Sequence, residues 1–121
     1  MPTPTAADLE ARKDVADLLA NLRDDPKYKG KRLRPIETTI GLVVVQNPSR
    51  GQWNSSGAAM FDDNKATAFK AMSGLFRMCV VYPDEQTLAA KLEDYVGALD
   101  EPDAMREFRR HIGHAREEEA K

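Results

Sequence analysis

Residue types able to act as nucleophiles, bases or metal ligands are few in this chain. It has one cysteine, Cys79, and two histidines, His111 and His114. The histidines stand three apart, a spacing that puts both on one side of a helix. Zinc needs several convergent ligands, and no motif supplies the others. Both therefore read as surface histidines. Cys79 lies on an apolar stripe beside Phe76 and Val80. An activated thiolate needs exposure and a neighbouring base, so Cys79 reads as a core residue. The carboxylate pairs Asp24-Asp25 and Asp62-Asp63 fall where helical patterns stop, and helix capping and solvation account for them. Asn54-Ser55-Ser56 fits a glycosylation acceptor, without a secretion signal to accompany it. No glycine-rich phosphate loop is present. The expectation is a protein that is not an enzyme, with no metal and no cofactor.

Recognition chemistry is better represented. Trp53, Phe61, Phe69, Phe76 and Tyr82 hold most of the aromatic area. Together they would suit an apolar or amphipathic segment of a client. Trp53 reads equally as a core anchor. Residues 27–34, KYKGKRLR, carry Lys27, Lys29, Lys31, Arg32 and Arg34 and no acidic residue. Such a run reads as a solvated basic linker ahead of a strand. The functional alternative is an electrostatic contact to an acidic partner or to nucleic acid.

The elements that must position these residues are mainly helical. Ala11, Val15, Leu18, Leu19 and Leu22 recur at helical spacing and predict an amphipathic helix over 6–23, stopped by Asp24-Asp25-Pro26. Alternation of Ile36, Thr38, Ile40, Leu42 and Val44 predicts a short hairpin, about 32–39 paired with 42–46. Pro35 marks an edge position because it cannot donate to a ladder, and an edge at Val43–Val45 would allow pairing across subunits. Ser49 with Gln52 forms a capping-box pattern ahead of a helix bearing Trp53, Gly57, Met60 and Phe61. Asp63 or Asn64 caps a third helix with the stripe Ala68, Phe69, Met72, Leu75, Phe76, Cys79 and Val80, ended by Val81-Tyr82-Pro83. Asp84 caps a fourth, with Leu88, Leu92, Tyr95, Val96 and Leu99. Pro102 opens a fifth, with Ala104, Met105, Phe108, Ile112 and Ala115. The expected fold is α+β, mainly α: about five helices with one short β-hairpin after the first helix.

Composition sets limits on that fold. The 121 residues predict a single domain over 1–121, with a frayed N-terminus at 1–5 and a charged, flexible tail at 114–121. Lys and Arg number 18 against 20 Asp and Glu, for a net charge of -2, which excludes a strongly basic nucleic-acid module. Sixteen of the apolar residues are alanine, leaving larger side chains for one small core and not for two. No apolar run is long enough for a membrane span, and the N-terminus does not read as a signal peptide. One cysteine permits no intrachain disulfide, and a cytosolic protein is expected.

A more specific signal lies at residues 43–84. The stretch Val43-Val44-Val45-Gln46-Asn47-Pro48-Ser49-Arg50-Gly51-Gln52-Trp53 resembles the start of phage tail assembly chaperones, in which a short strand leads into a V-x-x-P-[ST]-R-x-x-[YW] helix start. Met60-Phe61-Asp62-Asp63, Ala66 to Leu75, and Arg77-Met78-Cys79-Val80-Val81-Tyr82-Pro83 continue the likeness. It is similar to the small tail assembly chaperones of long-tailed phages over about residues 32–121. The helix 6–23 and the basic linker have no counterpart in it. The resemblance implies a non-enzymatic protein of the host cell cytoplasm that binds the tape measure protein and supports tail tube assembly. It further implies absence from the mature virion, and a longer frameshifted form that engages the tail tube protein; this chain would be the short form. A homo-oligomer is compatible with it. The alternatives are another phage tail structural component, or a small nucleic-acid-binding regulator using residues 27–34. Against the regulator, no recognition-helix pattern follows the basic segment.

Overall fold

The computed structural model describes residues 6–28, 31–60 and 62–120. Among these the fold is mainly helical, 66% helix, with six α-helices and a three-stranded antiparallel sheet. The helices are α1 (Ala6–Glu10), α2 (Lys13–Asp24), α3 (Arg50–Met60), α4 (Lys65–Cys79), α5 (Glu85–Asp94) and α6 (Pro102–Ala120). The strands are β1 (Leu33–Thr38), β2 (Gly41–Gln46) and β3 (Val80–Tyr82), in the order β1-β2-β3. The mainly helical α+β expectation holds, with one more helix and one more strand than the sequence predicts.

The helix expected over 6–23 is two helices. Arg12 adopts extended backbone and stands as N-cap of α2, its guanidinium 2.8 Å from the Asp14 carboxylate. The break has a packing cause. Leu9 and Val15 are six residues apart, so an unbroken helix would point them about 120° away from each other. With the break, both are fully buried, alongside Leu19, against Leu33 and Val44 of the sheet. Ala11, expected on the apolar stripe, is exposed instead. Asp25 ends α2 as expected, and its carboxylate accepts from the Lys27 backbone N–H.

The hairpin is close to the expected one, with Ile36 opposite Val43 and Thr38 opposite Gly41. Its turn is held by Thr38, whose hydroxyl accepts from the Ile40 N–H and donates to the Gly41 carbonyl at 2.8 Å. Gly41 has φ +102°, a conformation that glycine adopts without steric cost and that closes a hairpin through residues of ordinary φ. Pro35 lies on β1, an edge strand, as expected. β2 is central, with β1 on one side and β3 on the other. Val43–Val45 therefore lies on a central strand and not on the expected edge, with Val44 and Val45 paired to β3 as well as to β1.

Residues 80–82 comprise the last residue of the predicted third-helix stripe, Val80, and the start of its predicted stop, Val81-Tyr82-Pro83. They form β3, because Val80 turns extended directly at the end of α4, and two β-branched valines favour a pleated strand over a helical turn. The caps are as expected. Ser49 and Gln52 exchange hydrogen bonds at 2.9 and 3.1 Å. The Asn64 side chain accepts from the N–H groups of Ala66 and Thr67. Asp84 accepts from Thr87, whose hydroxyl and N–H hold the carboxyl below its ordinary range. Helix α5 stops at Asp94, so Tyr95 and Val96 leave the predicted stripe and stand exposed.

Both faces of the sheet are covered. Side chains of Ile36, Val43 and Val45 meet Leu75, Phe76, Cys79, Leu88, Met105 and Phe108 on one side. Leu33 and Val44 meet α1 and α2 on the other. The expectation of one core is corrected to two clusters, separated by the sheet. The larger cluster centres on the Phe76 and Phe108 rings, stacked with centroids 4.7 Å apart. Helix α6 continues through 114–120, the segment expected as a flexible tail. The N-terminal residues 1–5 lie outside the described residues.

Candidate functional site

The five aromatic residues expected to line a client surface do not share one environment. Phe76 is fully buried against Phe108 and is a core residue, not a surface one. Trp53 is half-buried on α3 and packs against the larger core cluster. Phe69, on α4, is 40% exposed, and Tyr82, on β3, is 39% exposed. Phe61 lies outside the described residues.

The basic segment is also divided. Arg34 belongs to β1 and reaches across to α6, where its guanidinium donates to the Glu107 carboxylate at 2.6 Å. Glu107 is only 5% exposed and also accepts from Arg110 at 3.0 Å. Arg34 therefore spends its charge inside the fold, and the 27–34 linker ends at the start of β1. Lys27 lies over the Tyr28 ring at 5.7 Å, and Lys31 is exposed. Lys29 lies outside the described residues.

The remaining chemistry-bearing residues are placed as follows. Cys79 is fully buried, and burial pushes its thiol up to about 12. At that value it stays protonated, inert as a nucleophile. His111 is buried beside Phe108, which corrects its expected surface position: it lies on α6 between Phe108 and Ile112, on the side that faces the core. The His114 side chain is outside the described ones, as is that of Ala115. Asp62 accepts from the Asn64 N–H at 2.8 Å, a turn role. Ser55 sits within α3 and donates to the Gly51 carbonyl. Among the described residues no three His, Cys, Asp or Glu side chains converge as a metal site, and no helix is long and apolar enough to cross a membrane.

One apolar concavity stands out around Phe69. It measures about 410 Å³ and is lined by Met60 from the end of α3, by Lys65, Ala68, Phe69 and Met72 from α4, and by Arg109 from α6. Its cause lies in how α4 is covered. Leu75, Phe76 and Cys79, in the second half of the helix, are buried, while Ala68 and Met72 are half-buried and Phe69 is exposed. The apolar stripe thus outruns the core that covers it. Lys65, Ala68, Phe69 and Met72 fall at i, i+3, i+4 and i+7, so they form one ridge. Methionines such as Met60 and Met72 are unbranched and adapt to differently shaped side chains.

Lys65 and Arg109 give this groove its charge. Both are exposed, and neither forms an ion pair among the described residues. Sequence reasoning had Phe69 but missed Met60, Met72, Lys65 and Arg109 as its surroundings. The spacing of Lys65 to Met72 was a usable signal, whereas the approach of Arg109 depends on tertiary packing. A second depression of about 330 Å³, lined by Gln52, Gly74, Arg77, Met78, Val80, Glu85 and Leu88, mixes both charge signs.

No protein-family model, curated protein or solved structure matches the chain.

Proposed function

We propose that the chain is a non-enzymatic phage tail assembly chaperone that binds the tape measure protein and supports tail tube assembly in the host cytoplasm. One observation carries the reading. All five large apolar side chains exposed among the described residues, Phe69, Met78, Tyr82, Tyr95 and Val96, lie within residues 32–121, the portion that resembles these chaperones, and Phe69, Met78 and Tyr82 lie within its motif-bearing stretch 43–84. A chaperone for a long helical client needs apolar surface on an otherwise charged exterior. The tail tube protein would be met through a longer frameshifted form, and the chaperone would be absent from the finished virion.

The regulator reading has less support, because Arg34, one of its five cations, is held by Glu107. A structural component of the tail remains the alternative, and location separates the two. The test is co-expression of the tagged chain with the tape measure and tail tube genes that neighbour it, followed by purification and mass spectrometry. Recovery of the tape measure protein with the chain, and absence of the chain from purified virions, is the expected result. Presence of the chain in virions would overturn the chaperone reading in favour of the structural one.

A further inference from the structure

We propose that the groove around Phe69 receives an acidic amphipathic helix, whose apolar side chains enter between Met60, Phe69 and Met72 and whose carboxylates meet Lys65 and Arg109. The identity of that helix as a segment of the tape measure protein rests on the chaperone reading; its chemistry rests on the groove alone.

Three observations carry the inference. The groove floor is apolar, and at about 410 Å³ it holds a few side chains rather than a whole helix. A helix lying across it would insert residues from one face only, as helix-in-groove recognition does. Among the described residues, the charged ones lining it are Lys65 and Arg109, both cationic, on two different helices and free of ion pairs. Asp62 and Asp63 lie nearby in sequence, but neither lines the groove, and Asp62 is turned to the Asn64 backbone. Complementarity therefore selects a negatively charged partner and disfavours a basic one. The second depression makes no such selection, since Arg77 and Glu85 both line it.

The probes are two fluorescein-labelled helical peptides with leucines at i, i+4 and i+7, identical except that the flanking positions carry glutamate in one and lysine in the other. Fluorescence anisotropy with the full chain reads their affinities. The glutamate peptide is expected to bind about tenfold more tightly, with the difference shrinking as salt rises. The double variant Lys65→Glu with Arg109→Glu is expected to reverse the preference. Phe69→Ser is expected to weaken both peptides at least about tenfold. All three side chains are exposed, so circular dichroism should match the parent chain.

Equal affinity for the two peptides, binding of neither, or a preference that survives charge reversal would overturn the inference. So would a free chain that sediments as a dimer and becomes monomeric in Phe69→Ser, because the occupant would then be a second copy. Co-purification keeps the two readings apart. Tape measure protein recovered equally with the parent and the charge-reversed chain sinks the groove assignment and leaves the chaperone reading standing. Tape measure protein not recovered with the parent chain sinks the chaperone reading, whatever the peptides show.

Discussion

Arg34 and Glu107 link the first strand to the last helix through an ion pair that is mostly withdrawn from water, with side chains 17% and 7% exposed. Removing one member strands the other charge, which costs far more than removing both. Glu107→Leu is expected to lower the unfolding free energy by about 3 kcal/mol, and the double change with Arg34→Leu to recover most of that loss. Urea denaturation of the parent chain and the two variants checks it; a Glu107→Leu loss below about 1 kcal/mol would mean that the pair behaves like an exposed one. Cys79 gives a second residue-scale expectation. An unfolded thiol ionises near 9, whereas burial pushes the folded one up to about 12. The contribution of this group to stability is therefore complete below pH 9 and is lost as pH rises toward 12. Between about pH 8 and about pH 10.5, urea midpoints of the parent chain should fall more steeply than those of Cys79→Ala. Parallel slopes would show that the thiol ionises as readily folded as unfolded.

At the scale of the elements, two glycines separate backbone conformation from packing. A Cβ added at Gly41 or at Gly74 would meet nothing within 4 Å. Gly41 has φ +102°, whereas Gly74 lies inside α4. Gly41→Ala is expected to destabilise the chain by about 1 kcal/mol through strain. Gly74→Ala is expected to stabilise it by a similar amount, about 1 kcal/mol, through helix propensity. Thermal unfolding of the two variants should move in opposite directions, and movement in the same direction would contradict the turn geometry. Such local features were legible in the sequence: the Ser49–Gln52 box, the Asn64 and Asp84 caps, the stop at Asp25 and the approximate span of the hairpin all follow from neighbouring residues. Features set by distant partners were not. The break at Arg12 exists because Leu9 and Val15 must both reach the sheet. Val80–Tyr82 becomes a strand because β2 offers Val44 and Val45 as pairing partners. Phe69 and Phe76 occupy one predicted stripe, and only the position of α6 decides that Phe76 is core and Phe69 is groove. His111 and Glu107 are buried for the same reason, since α6 turns that side toward β1 and the core.

For the molecule as a whole, the controlling fact is a sheet with two covered faces. Leu42-Val43-Val44-Val45 is a continuous apolar run, the pattern of a strand buried on both sides, while the alternation of its partner β1 suggested one face only. Val43 and Val45 point into the larger cluster, and Val44 into the smaller one beneath α1 and α2. The N-terminal helices are thus an integral layer, although the proposed chaperone role rests on residues 32–121 and not on them. Their loss would expose Leu33 and Val44, fully or nearly fully buried in the intact chain. Leu19 tests this layer without deleting it. Leu19→Ala removes a side chain packed with Leu9, Val15, Leu33 and Val44, and is expected to cost about 3 kcal/mol. Because the two clusters share β2, the loss should lower a single cooperative transition seen alike by far-ultraviolet circular dichroism and by Trp53 fluorescence, which reports from the opposite face. If circular dichroism alone shifted and the Trp53 transition stayed in place, α1 and α2 would be an appended layer that unfolds by itself. Residues 32–121 would then be the cooperative unit, and the groove around Phe69 should keep its peptide selectivity in the Leu19→Ala chain.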